Sequence, residues 1–188
     1  MSYKNKISFI LLGFIVIFNQ LIFAQTTTSG DLIALNIADY SLIESSNTTV
    51  ALSLNSFAVG SALMTASNSD VFLKLSSLNP ESTTRQVTSK ITSGSVPAGT
   101  ILKVVSAPCT TINSGGNLGI VTQSITLSTT DQNLISGIGS CYTGTGINDG
   151  YQLTYTWAPT SISADYNLIK ATTSSVNITI VHTISATN

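Results

Sequence analysis

Charge is the scarcest commodity in this sequence. Only 8% of its residues are Asp, Glu, Lys or Arg, against a usual share of about a quarter. The few Lys and Arg are scattered, so the counterion release that drives nucleic-acid binding has no source. Histidine occurs once, as His182, and cysteine twice. Two thiols with no third soft ligand near them in the sequence disfavour a zinc or other transition-metal centre. No Gly-x-Ser-x-Gly elbow is present, which removes the commonest setting for a Ser-His-Asp triad. Disorder is excluded from the other side: 43% of the residues are hydrophobic, far more than disordered chains carry.

What remains is a Ser, Thr, Asn and Gly surface around apolar segments. The first such segment has a special order. Lys4 and Lys6 precede an apolar run from Ile7 to Phe18, broken by Ser8 and Gly13, and Ala24 follows. Positive region, hydrophobic region and small residue at the cut describe a secretory signal peptide. The run falls short of the about 20 apolar residues that a spanning helix needs. Residues 1–24 are therefore expected to be a cleaved signal peptide and 25–188 a single domain, with no membrane span after cleavage. No cysteine lies near the cut, which disfavours a lipid anchor. The expected location is secreted, periplasmic or on the outer cell surface. Beyond residue 24 five cations face eight carboxylates, a formal charge of −3.

Export to an oxidising compartment favours pairing of Cys109 with Cys141. Closing that loop would contribute about 3 to 4 kcal/mol by the chain-entropy argument.

Apolar residues recur with a period of two, the strand period, and helical periodicity is hard to find. Ile33, Leu35 and Ile37 form one set, Val50, Leu52 and Leu54 another. Val71, Leu73 and Leu75 share a face, as do Val87, Ser89 and Ile91. Val96-Pro97-Ala98-Gly99 reads as a turn joining the Gln86–Thr92 strand to Ile101–Val105 in a hairpin. Tyr151, Leu153, Tyr155 and Trp157 line one face of the clearest strand, and its expected mate is the C-terminal run with Val176, Ile178, Ile180, His182 and Ile184. Roughly eight to ten strands at this spacing predict an all-β fold, a two-layer Greek-key sandwich of immunoglobulin-like type.

The candidate sites are few. His182 falls at an inward parity, where a ring hydrogen-bonded at the edge of the core is the simpler reading than a catalyst without company. The glycine-rich stretch from Gly137 to Gly150 lacks the third glycine of a dinucleotide fingerprint, because Asp149 stands in its place. It reads as a tethered loop ending in an Asn-Asp-Gly turn, or as a ligand-facing rim presenting Tyr142, Asn148 and Asp149, with Tyr166 as a further exposed aromatic. Asp131, Asp149 and Asp165 could meet only through the fold, and nothing in their spacing selects them for calcium or for glycoside hydrolysis. Asn47-Thr48-Thr49 and Asn177-Ile178-Thr179 match the N-glycosylation pattern, as chance allows in a Ser/Thr-rich chain. No cofactor is expected.

Four segments carry a resemblance. They are Phe23-Ala24-Gln25, Val96 to Val104, Ile125 to Thr130, and Gly150 to Tyr155. Together they resemble uncharacterised secreted β-sandwich proteins of Bacteroidetes-type bacteria. More loosely, cysteine pair, length and terminal alternating strand are similar to those of fimbrial and spore-coat-U-like subunits. The first likeness implies no activity and no site residues. The second implies assembly by donor-strand complementation, in which Ile33, Leu35 and Ile37, behind the Gln25–Gly30 lead, would enter a neighbouring subunit; the simpler alternative makes them the first strand of their own sandwich. The function expected is a non-catalytic secreted or cell-surface structural or adhesive subunit, associating with itself or with other surface proteins. The alternative is a carbohydrate-binding module that stacks Tyr142 or Tyr166 on glycans.

Overall fold

The computed structural model describes residues 29–47, 49–55, 58–63 and 65–187; the expected signal peptide lies outside them. The chain divides into two units, Met1–Asn36 and Ile37–Asn188. In the first unit residues 29–36 are extended chain in no strand ladder, with Leu32, Ile33 and Leu35 exposed at 99%, 76% and 88%. The strand expected over Ile33–Ile37 is thus absent as a paired element. Its period-two pattern gives only a capacity to bury one face, and a strand needs a partner to realise it.

The second unit is all-β. Its strands are β1 (Tyr40–Ser45), β2 (Ala66–Leu78), β3 (Arg85–Ser93), β4 (Thr100–Ser106), β5 (Gly115–Gly116), β6 (Ile120–Val121), β7 (Ile125–Thr126), β8 (Gln132–Ile138), β9 (Cys141–Tyr142), β10 (Tyr151–Pro159) and β11 (Thr179–Ala186). A single 3-10 turn, Tyr166–Leu168, is the only helical element among the described residues. One open sheet runs β5-β9-β2-β10-β4-β7, with β1 on the far side of β2, and the other runs β11-β3-β8-β6. Every pairing is antiparallel.

The two sheets share one core because their inward residues alternate as the sequence pattern requires. Val71, Leu73 and Leu75 of β2, Val104 of β4 and Tyr151, Leu153 and Tyr155 of β10 meet Val87 and Ile91 of β3 and Leu134, Ile135 and Ile138 of β8. Leu134 and Ile135 are consecutive yet both fully buried, since the β3–β8 register slips between Val87 and Thr88. A bulge of this kind turns two successive side chains inward. Each such side chain contributes about 1.5 to 3 kcal/mol of burial.

Several sequence expectations are corrected by the structure. The Val96–Gly99 turn does not close a hairpin: β3 belongs to one sheet and β4 to the other, so the connection crosses between layers. Gly94 has φ +78° and no room for a side chain against the Asn177 carbonyl, and it turns the chain out of β3. β10 is paired with β2 and β4 rather than with the C-terminal strand, which joins β3. Val50, Leu52 and Leu54 keep their alternation, half-buried between exposed neighbours, but form no ladder. Asn177 lies in exposed chain before β11, not within it.

The expected disulfide is not formed. Cys109, just after β4, and Cys141, in β9, are buried free thiols. Cys141 is held by ladders to Ser77 and Gly116, whereas the Cys109 sulfur sits 3.6 Å from Thr111 Oγ1. Their positions follow from these separate anchors and do not meet the geometry of a bond; the thiols pack as small apolar groups. Among the described residues no helix is long and apolar enough to cross a membrane.

Candidate functional site

The principal concavity opens where the edge strand β11 faces β2 and β10 across the layers. It encloses about 780 Å³. Val71, Leu102, Tyr155 and Trp157 form its wall on the larger sheet, and Ile180 and His182 form the wall on the smaller. The irregular segments 49–55 and 172–178 frame the mouth with Val50, Leu52, Val176 and Ile178. None of its described lining residues is charged.

Two polar features are fixed in this apolar setting. The Trp157 indole N–H donates to Thr100 Oγ1 at 2.9 Å, and that hydroxyl donates to the Pro97 carbonyl at 2.7 Å. Deeper in, His182 Nε2 meets the Tyr155 hydroxyl at 2.9 Å and His182 Nδ1 meets the Ser89 hydroxyl at 2.7 Å. Ser89 and His182 belong to adjacent strands of one sheet and Tyr155 to the other, so the imidazole ties the layers together. Burial lowers the His182 pKa to about 4 and raises that of Tyr155 to about 12. Both groups are neutral at pH 7. With both ring nitrogens occupied by hydroxyls and Ser89 wholly buried, the trio has neither an accessible nucleophile nor a carboxylate to orient a base.

A smaller cavity of about 280 Å³ also has Trp157 in its lining, with Leu63, Tyr166 and Lys170 among its walls. The Tyr166 hydroxyl accepts the Leu63 N–H at 3.3 Å.

The residues expected to form one ligand-facing rim do not converge. Asp149 is turned inward, its Oδ2 accepting the Gly146 N–H at 2.8 Å and Asn113 Nδ2 at 3.3 Å. Gly144, with φ +92°, and Gly146 leave the space that carboxylate occupies, since a Cβ on either would press on it. Thr143 is equally buried, donating its backbone N–H to the Leu75 carbonyl at 3.1 Å and accepting the Leu75 N–H on Oγ1 at 3.0 Å. Tyr142, Asn148 and Tyr166 face solvent, Tyr142 lying over Gly115. Tyr142 stands across from Ser76 near one end of β2, whereas Trp157, which shares a cavity with Tyr166, stands across from Ala66 at the other. The glycine-rich stretch is thus a braced loop. Asp131 pairs with Lys90 at 2.9 Å. Among the described residues no three His, Cys, Asp or Glu side chains gather into a metal site.

No family model matches the chain, and none of the curated proteins or solved structures matches it. The Ser89–His182–Tyr155 bridge is the residue set that the sequence pattern shows least. A signal is nonetheless present: Ser89 and His182 are the polar residues at inward positions of two apolar strand patterns, and inward polar groups need partners.

Proposed function

We propose that this protein is a non-catalytic secreted or cell-surface structural subunit, an immunoglobulin-like Greek-key sandwich that associates with copies of itself by strand pairing. The observation that carries this reading is the extended segment ahead of β1. Leu32, Ile33, Leu35 and Ile37 are between 76% and 99% exposed, with the alternation of a strand and no ladder around them. A chain that leaves such a row in water gains by burying it against another β surface. The sparse charge of the sequence adds to this, since little repulsion keeps copies apart.

Catalysis receives less support, because both ring nitrogens of the only imidazole are engaged by hydroxyls and no carboxylate orients it. Glycan stacking on Tyr142 and Tyr166 is likewise weaker, because the two rings belong to opposite ends of β2. The test is light scattering and electron microscopy of the purified protein across a concentration series. Ordered assemblies that disappear when Ile33 and Leu35 are changed to Asp are expected. A chain that stays monomeric at high concentration overturns the reading.

A further inference from the structure

We infer that the uncharged cleft between β11 and the β2–β10 wall is the acceptor for residues Ile33–Ile37 of a second copy of this chain, which add there as an extended strand along β11. This inference rests on the self-association proposed above and identifies its receiving surface.

Three observations select an extended peptide as the occupant. First, among the described residues β11 is hydrogen-bonded on one side only, to β3, and at eight residues it is the longest edge strand of either sheet. Its outer edge offers backbone donors and acceptors, which a strand can saturate and a compact small molecule cannot. Second, Ile178, Ile180 and His182 turn into the cleft at alternate positions, and Ile33, Leu35 and Ile37 repeat with the same period. Each set of five residues spans about 13 Å at ~3.3 Å per residue, so three incoming side chains can enter the cavity together. Third, charge matches on both sides: the cleft lining carries none, and neither does Leu32–Ala38, which is bounded by Asp31 and Asp39.

The backbone geometry favours a second copy over the chain's own lead. Asp39 is ion-paired with Arg85, whose backbone stands opposite Ala186 at the end of β11. From that anchor the chain's own lead could pair with β11 only in the parallel sense. A segment from another copy is free to enter antiparallel, the more stable ladder. Because lead and cleft are different surfaces, each copy that receives a strand still offers its own. Such head-to-tail contacts grow into rings or filaments rather than stopping at a dimer.

The test uses the full chain, expressed with its own leader, in two complementary variants. Ile33→Asp combined with Leu35→Asp disables the lead, and Ser175→Phe fills the cleft mouth from an exposed position. Val176→Asp, at a residue 47% exposed, serves as a second cleft variant whose folding circular dichroism verifies. At a concentration where the wild type is largely assembled, each variant alone is expected to be monomeric, with apparent affinity lowered at least tenfold. An equimolar mixture of lead and cleft variants should yield a heterodimer and nothing larger, with a blue shift of Trp157, the only tryptophan. Assembly of both cleft variants at the wild-type concentration, with the lead variant monomeric, overturns the acceptor site while leaving self-association intact. A monomeric wild type whose Trp157 emission responds to the lead substitution places the strand in its own cleft and overturns the inference as well. A monomeric wild type without that response removes the underlying proposal.

Discussion

Acid should loosen this fold through one residue. An unperturbed histidine takes its proton near pH 6.5, whereas burial lowers His182 to about 4. Between those values the unfolded chain binds a proton that the folded chain refuses, so stability falls as the pH drops through that window. Above pH 6.5 both states hold the ring neutral and the full stability is present; below 4 both are protonated and the loss is complete. The free-energy gap between holding and releasing that proton in the two states is about 3 kcal/mol, a substantial part of the stability of a small domain. Carboxylates titrate in the same range, so the measurement is a difference: urea unfolding followed by Trp157 fluorescence at intervals from pH 7 to 4, for the wild type and for His182→Gln. Glutamine keeps hydrogen-bonding capacity toward Ser89 and Tyr155 but cannot titrate. The wild-type curve should fall more steeply, the gap closing by about 3 kcal/mol over the window. Because the chain has one histidine, its proton resonance reports the same event without ambiguity. Parallel stability curves, or a ring titrating near 6.5, would refute the sealed interlayer bridge.

Removing the Tyr155 hydroxyl with Tyr155→Phe leaves His182 Nε2 without its partner, and urea unfolding at pH 7 should register a loss of about 1 to 3 kcal/mol. Two glycines with positive φ should behave very differently on conversion to alanine. Gly150 (φ +110°) has the Leu73 carbonyl where a Cβ would go, so Gly150→Ala should lower the thermal midpoint severely or abolish soluble expression. Gly137 (φ +68°) has open space, and its substitution should cost only the conformational penalty of about 1 to 2 kcal/mol. Both thiols are buried, and burial, with Cys109 adding to it, lifts Cys141 to about 11. An aromatic disulfide reagent at pH 8 should therefore react slowly with the native protein and release two equivalents at once in denaturant; fast native reaction would contradict the packing.

How much of this is legible in the residues follows from what a period of two encodes. It fixes which side chains point inward, and the inward sets of β2, β3 and β10 are those the alternation marks. It does not fix which strands become neighbours. Pro97 and Gly99 announce a turn equally well whether the chain doubles back within one sheet or crosses to the other, and here it crosses. β8 is invisible for the opposite reason: the bulge at Leu134–Ile135 places two apolar residues in succession and Ser136-Gly137 separates them from Ile138, so no alternation survives. The rim does not form because Asp149, a surface turn residue by its sequence neighbours, has room beside Gly144 and Gly146 to fold its carboxylate inward. His182 and Ser89 are both inward-facing in the pattern, and only the register of β11 on β3 brings them side by side.

That register also bears on why the edge beyond β11 is the place to look for function. Soluble β proteins blunt their long edges with lysine, proline, inward-pointing charge or brevity. The other outer strands here conform: β5, β6 and β7 have two residues each, and the six-residue β1 carries Glu44, held to Lys74 at 3.6 Å. β11 uses none of these devices. Its eight residues, Thr-Ile-Val-His-Thr-Ile-Ser-Ala, include no proline and no charged side chain, since burial keeps His182 neutral. The irregularity in its ladder falls at the very start, between Thr179 and Ile180, leaving the rest in regular register with β3. An edge strand hydrogen-bonded on one side only, beside an apolar cavity and in a chain that also carries an unpaired alternating segment, is the arrangement expected when the covering strand comes from outside the sandwich. Placing a lysine at Val181, an outward position of β11, should therefore weaken assembly with little effect on the thermal midpoint; an equal loss of both would show that the edge is closed within the monomer.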